Sequence, residues 1–280
     1  MKFQTFSVVV GNNACNASCP YCVSKNTAQV DLSSDLNLDR LDTAARLAEK
    51  CGVTTALITG KGEPTLYPEH ITSSLQILYK YFPIIELQTN GLWLEKIKHH
   101  LDGWYRFGLT TICISVAHYL DAKNKKIFLD NKSEYPHLPK NIAIAKTSKF
   151  SVRLSVVGCK GYIDTPQEID NLVKFSKACQ VDQLTWRPVT FPSGYDNMNI
   201  RREYEIAQRM IDHIDQSVKR TAKKLLNLPH GGEVFDYQGQ NLCLTNCLTH
   251  TNDPNDIRQL IYFPNGEIRY DWVYPGARIL

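Results

Sequence analysis

Between Phe3 and Pro188 the chain switches six times between a short β-branched or apolar run and a longer stretch. That alternation limits its architecture more than any other feature. The runs with strand character are Phe3–Val10, Thr54–Thr59, Ile84–Gln88, Leu109–Val116, Val152–Val157 and Asp182–Pro188. Between them, Leu38, Leu41, Ala44, Ala45, Leu47 and Ala48 fall at helical spacing, and Gly52 stops that helix. Further helices are predicted over Ile71–Tyr81, Leu92–Leu101, Leu138–Thr147 and from Pro166 to about Cys179, with Pro166 in the first turn where it is tolerated. Strands that take turns with helices imply a parallel sheet with right-handed crossovers. Six units fall two short of an eightfold barrel. The predicted fold is therefore α/β, a partial (βα)6 TIM-like barrel with a small C-terminal β-containing cap.

After Pro188 the pattern changes. A loop over 191–199 precedes a long basic segment, Arg201–Asn227, predicted as helix. Its cations, among them Arg202, Lys219, Lys223 and Lys224, read as a solvated face, with polyanion contact as the alternative. Short β runs return at Glu233–Tyr237, Arg258–Phe263 and Glu267–Val273, the last two flanking the turn Pro264-Asn265-Gly266. Two units are expected: the barrel over 1–190, and a helical and hairpin extension over 191–280 that caps the barrel mouth. A net charge of +4 gives no reason to expect a nucleic-acid partner. No apolar stretch reaches the length of a membrane span. Met1-Lys2-Phe3 runs straight into a strand, so no secretory leader is expected and the compartment is taken as cytoplasmic. There the nine cysteines are reduced, and a cluster of them points to metal binding or catalysis rather than disulfides.

Such a cluster stands at the end of the first strand: Cys15-Asn-Ala-Ser-Cys19-Pro-Tyr-Cys22, spaced C-x3-C-x2-C and not followed at once by a helix. A structural zinc site normally takes four protein ligands, and none lies at the usual pairing distance. A redox pair would need only Cys19 and Cys22. A cubane iron–sulfur cluster held by three thiolates is one ligand short of saturation, which leaves one iron open. From spacing alone these readings stay open. In parallel βα folds, however, ligands bind at the C-terminal strand ends. Here those ends are the cysteine loop, Gly60–Thr65, Thr89-Asn90-Gly91, Ser115, Val156–Gly158 and Arg187-Pro188. Each is small, polar or glycine-bearing, and all face one mouth.

Over roughly the first 190 residues the chain resembles the radical S-adenosylmethionine (radical SAM) superfamily. The family's C-x3-C-x-aromatic-C is matched by Cys15, Cys19, Tyr21 and Cys22, and its Gly-Gly-Glu-Pro by Lys61-Gly62-Glu63-Pro64, with Lys61 in place of the first glycine. The resemblance implies a [4Fe-4S] cluster on Cys15, Cys19 and Cys22, its open iron chelated by the amino and carboxylate groups of S-adenosylmethionine. It further implies that the backbone of Gly62, Glu63 and Pro64 lines the methionine amino group, with Asn90 near the ligand. Ser115 is implied at the ribose, Arg153 at the methionine carboxylate, and Val157 and Tyr21 at the adenine. The implied chemistry is electron delivery through the cluster, cleavage to a 5′-deoxyadenosyl radical, and hydrogen abstraction from a substrate. A flavodoxin or ferredoxin is the implied electron donor.

The remaining cysteines bear on subclass. Cys51, Cys113 and Cys179 read as buried and inert. Cys159, just past the fifth strand, is a candidate hydrogen donor. Cys243 and Cys247 form a C-x3-C pair that would need a third ligand, such as Cys159 or His250, to hold a second cluster. The pattern departs from the molybdenum-cofactor cyclase type, from glycyl-radical activating enzymes and from deazaguanine ring-contracting enzymes. Lys61, Arg153, Arg187 and the basic helix favour a small anionic or nucleotide-like substrate. The alternatives are a peptide-modifying radical SAM enzyme with an auxiliary cluster and, in another class, a non-catalytic iron–sulfur or zinc protein acting as sensor or electron carrier.

Overall fold

A computed structural model describes residues 2–26, 32, 35–189, 202–245, 256–272 and 274–279. The first strand, β1, spans Lys2–Val9. It is followed by α1 (Leu38–Lys50), β2 (Thr55–Thr59), α2 (Pro68–Leu78), β3 (Ile84–Thr89), α3 (Lys98–Arg106), β4 (Thr111–Val116) and α4 (Asp121–Leu129). Next come α5 (Leu138–Thr147), β5 (Ser151–Gly158), α6 (Pro166–Ala178) and β6 (Gln183–Pro188). All six predicted strands are present and pair in parallel in chain order, β1 to β6.

Local chemistry accounts for these elements. Asn37 caps α1 by accepting from the Arg40 amide at 3.1 Å, and Leu41, Ala44, Ala45 and Ala48 form its buried stripe. Gly52, at φ +84°, ends the turn. Thr165 accepts from the Glu168 amide at 3.2 Å and Pro166 opens α6, the start expected from sequence. Along the central strands, residues such as Leu87, Ile112, Ile114, Leu154, Val156 and Leu184 are fully buried. They alternate with polar or small residues, Glu86, Gln88, Cys113, Ser115, Arg153, Ser155, Thr185 and Arg187. Strand period two puts these on the opposite, concave face.

Past residue 190 the structure differs from the expected long helix. Helix α7 spans Gln208–Thr221, and the chain then turns extended at Ala222 into β7 (Lys223–Asn227). Pairing with β8 (Glu233–Tyr237) overrides the helical composition of that run. A ninth strand, β9 (Gln240–Leu244), lies parallel to β6, and β10 (Asp256–Tyr262) lies parallel to β1. The two-residue β11 (Ile268–Arg269) closes the predicted hairpin, with Gly266 at φ +87°. The result is one open sheet ordered β11-β10-β1-β2-β3-β4-β5-β6-β9-β8-β7. The C-terminal strands thus extend both edges of the partial barrel without closing it. Two further predictions are corrected. Helix α3 begins at Lys98 rather than Leu92, because residues after Asn90 are held in turns, starting with the Leu92 amide on Asn90 Oδ1 at 2.9 Å. A 3-10 turn, Val23–Asn26, does follow Cys22 directly. Among the described residues no helix is long and apolar enough to cross a membrane.

Candidate active site at the strand ends

The three cysteines lie on the loop leaving β1. Three anchors hold that loop. On one side the Ser18 amide donates to the Phe128 carbonyl at 2.7 Å, docking the loop on the end of α4. On the other side the Glu63 amide donates to the Ala14 carbonyl at 3.0 Å. A Cβ on Gly62 would sit 1.9 Å from that same carbonyl, so only glycine permits the approach. The third anchor is Asn90, whose Nδ2 donates to Asn16 Oδ1 at 2.7 Å and reaches Cys15 Sγ at 3.8 Å. The Ala17 amide also points at Cys15 Sγ, at 3.4 Å.

Burial raises the Cys15 and Cys19 thiols, and the neighbouring cysteines raise them further. The Cys15 and Cys19 sulfurs therefore resist ionising. A polycationic iron core reverses that balance, since a coordinating thiol is deprotonated outright. Among the described residues no three His, Cys, Asp or Glu side chains converge tightly enough for a single metal ion. Three free thiols on one loop, with N–H donors aimed at one of them, fit the wider reach of a cluster.

Behind the loop, Glu63 is 3% exposed and organises the ends of β2 and β3. Its Oε1 accepts from the Thr65 amide (3.0 Å), the Thr65 hydroxyl (2.7 Å) and the Thr89 hydroxyl (2.6 Å); its Oε2 accepts from the Asn90 amide (2.9 Å). Every one of these donors is neutral. Burial pushes the carboxyl up, and the four donors oppose the rise. Pro64 is buried in the 3-10 turn that follows. Lys61, on the other flank of Gly62, is 6% exposed. Its ammonium is lowered by burial and by Arg269, while Cys22 raises it.

The other predicted residues divide into two groups. Tyr21 is buried, its hydroxyl unpartnered, in the electrostatic reach of Cys159, Cys19, Tyr135 and Tyr162. Cys159 is fully buried and its Sγ lies 3.5 Å from the Val157 carbonyl. Ser115 and Val157 stand half-buried on the concave face, Ser115 in register with Ser155 and Val157 with Arg187. These four belong to the mouth. Arg153 does not: it sits nearer the start of β5 and gives Nε to Glu86 Oε2 at 2.8 Å and Nη1 to Thr185 at 3.2 Å, with Nη2 on the other Glu86 oxygen. Cys243 is buried on β9 opposite Thr185, whereas Cys247 and His250 lie outside the described residues.

Sequence reading missed several participants. Glu86 was legible only as a charge inside an apolar strand. Asn124, fully buried, pins the end of β4 by accepting from the Ala117 and His118 amides at 2.9 and 3.0 Å. It went unseen because α4 has almost no amphipathic pattern. Nothing local marked Arg269, which is buried on β11 against Phe263 and Glu267.

Residues 9–176 match the family model described as the Radical SAM superfamily. No curated protein matches the chain. Among solved structures, Streptococcus suis SuiB bound to S-adenosylmethionine is similar at a TM-score of 0.65 and 14% identity, over 100% of this chain and 63% of that one. SuiB bound to its precursor peptide SuiA is similar at a TM-score of 0.64 and 16% identity, over 97% and 60%. The structure titled native anSMEcpe with bound AdoMet gives a TM-score of 0.66 at 12% identity, over 98% and 77%. At these identities the likeness is one of fold, and the chain spans under two thirds of SuiB.

Proposed function

The chain belongs to the radical SAM superfamily, a family of enzymes that use a [4Fe-4S] cluster and S-adenosylmethionine, and we propose that it abstracts hydrogen from a small anionic substrate held on the concave face of the sheet. In this reading Cys15, Cys19 and Cys22 hold the cluster. When bound, cluster and S-adenosylmethionine together supply one electron to the sulfonium and so a 5′-deoxyadenosyl radical. The backbone of Gly62, Glu63 and Pro64 lines the methionine amino group, and the Glu63 carboxylate ties that turn to Thr65, Thr89 and Asn90. Ser115, Val157 and Tyr21 flank the adenosine. Arg153 is left out of this set, because Glu86 and Thr185 engage its donors. Residues 1–190 form the catalytic barrel, and 191–280 extend its edges around the substrate. Flavodoxin or ferredoxin serves as the electron donor.

The observation that carries the substrate class is Arg187. It projects from the concave face of β6, gives Nη2 to Ser155 Oγ, and buries Nε with no partner among the described residues. A half-buried guanidinium with one buried, idle donor suits a carboxylate or phosphate. The test is 5′-deoxyadenosine formation by reconstituted protein with dithionite. Carboxylate- or phosphate-bearing small molecules should stimulate it above their uncharged analogues, and Arg187→Met should remove that preference. Cys22→Ala should abolish turnover. Equal stimulation by charged and uncharged partners would discard the anionic substrate.

A peptide substrate is the second reading. Strand β7 ends the sheet with every residue exposed, Leu225 and Leu226 at 49% and 48%, so among the described residues its outer edge is open to an added strand.

A further inference from the structure

On the side of β6 away from β5, strand β9 runs parallel, with Thr185 paired to Cys243 and Trp186 to Leu244. The Thr245 amide carries that ladder on by donating to the Trp186 carbonyl at 3.2 Å. The next step sets Thr245 beside Arg187, two residues past Cys243 and so on the concave face with Thr185 and Arg187. Thr245 is 8% exposed, and its Oγ1 is buried with no hydrogen-bond partner among the described residues. Arg187 Nε is in the same condition. Two buried polar groups thus stand idle on neighbouring strands about 4.8 Å apart. Buried polar groups are normally paired, so two orphans side by side call for an occupant.

The outer side of this spot is built by the turn between β7 and β8. Strand β8 runs antiparallel to β9, with Val234 opposite Cys243 and Glu233 opposite Leu244, so Gly232 comes next, opposite Thr245. A Cβ on Gly232 would lie 3.2 Å from His230 Nε2, 3.2 Å from Leu228 Cδ1 and 3.3 Å from Cys243 Sγ. Glycine at 232 therefore lets the turn bring His230 in against Cys243. Burial first, then Arg258 and Arg153, lower His230 to about 4, so at neutral pH it adds no charge to the site. Arg153 is itself engaged by Glu86. Among the described residues no acid pairs with Arg187, which leaves one uncompensated cation.

We propose that Arg187 and Thr245 hold the substrate by a carboxylate, one oxygen on Arg187 Nε and the other on Thr245 Oγ1, with His230 and Cys243 closing the outer side. Two buried donors and one positive charge match the two oxygens and single charge of a carboxylate. A phosphate group brings more than one charge and a third oxygen, for which no idle buried donor stands there among the described residues. Thr245 is then the residue that decides between the two anions. The inference rests on the anionic-substrate reading of Arg187 and narrows it.

The test is calorimetric titration of anaerobically reconstituted protein with acetate, inorganic phosphate and acetamide at constant ionic strength. Wild type should bind acetate at least about tenfold more tightly than phosphate or acetamide. Thr245→Val keeps the shape and removes the hydroxyl, so its Kd for acetate should rise about tenfold. Thr245→Ser should stay within about twofold of wild type, a rescue that a packing role would not predict. Thr245→Ala carries the test if the valine variant does not fold. Gly232→Ala, which crowds His230 and Cys243, should weaken acetate several-fold, and an unchanged Kd there removes the outer wall. Acetate binding that Arg187→Met abolishes but Thr245→Val leaves untouched overturns the clamp and keeps the anionic reading. Phosphate bound more tightly than acetate overturns the carboxylate and likewise keeps the anionic reading. Binding of neither anion, or binding that Arg187→Met does not change, overturns both.

Discussion

Two carboxylates are buried in this sheet within one strand of each other, and they are satisfied in opposite ways. Glu63, at the mouth, is 3% exposed and takes four hydrogen bonds, all from neutral amides and hydroxyls. Glu86, lower on β3, is 7% exposed and is met by the Arg153 guanidinium on both oxygens, with Gln88 adding a third contact at 3.0 Å. Arg153 stays charged there: burial would lower it, but the Cys113 thiol and Glu86 raise it. A neutralised pair ties β3 to β5 and leaves neither charge unpaired. A carboxylate fixed only by neutral donors has no cation paired with it, which makes it a suitable neighbour for an arriving ammonium group. Burial alone therefore does not separate a structural acid from a binding one; the charge of its partners does.

The largest effect that tests this contrast is on stability. Glu86→Ala leaves Arg153 charged and enclosed, and should cost about 3 kcal/mol in urea unfolding of the metal-free chain. Glu86→Ala combined with Arg153→Met should recover most of that loss. If the single variant unfolds at the wild-type midpoint, the floor pair is not structural and the contrast is lost.

Glu63→Gln should do the reverse. It keeps the shape and most of the acceptor capacity, so unfolding should change by only about 1 kcal/mol. The Kd for S-adenosylmethionine of the reconstituted protein should instead rise about tenfold, about 1.4 kcal/mol. Glu86→Gln, compared in the same titration, should bind the ligand within about twofold of wild type once folded. Equal losses of affinity in both variants would mean that the two acids do not differ in role.

How far these roles could be read in advance depended on how local their causes are. The β1 to β6 alternation, the start of α6 at Pro166 and the Gly62-Glu63-Pro64 motif are written in neighbouring residues, so sequence sufficed for them. The grouping of Cys15, Cys19 and Cys22 on one loop is likewise local. Arg153 was misplaced because register decides its neighbours: its position opposite Cys113 and Gln183 puts it level with the floor rather than the strand end. Strands β7 and β9 were missed because short runs such as Lys-Lys-Leu-Leu-Asn become strands only when a sheet edge is there to receive them.

The smallest expected effect comes from the residue nearest the floor that the pair disturbs. His230 is lowered to about 4 by burial, with Arg258 and Arg153 adding like charge. An unfolded histidine titrates near 6.5. Between those values the unfolded chain binds a proton that the folded chain refuses, so His230 makes stability fall as pH drops from about 6.5 toward 4. The side chain is only half-buried, and solvent screening reduces the effect. Going from pH 7 to pH 5, wild type should lose about 1 kcal/mol more than His230→Gln. The difference should shrink when Arg153 is replaced by Met together with Glu86→Ala, because one of the two cations that depress the imidazole is then gone. Parallel pH profiles for wild type and His230→Gln would place His230 outside the field of the floor, and would confine the influence of Arg153 to Glu86 and the cysteines beside it.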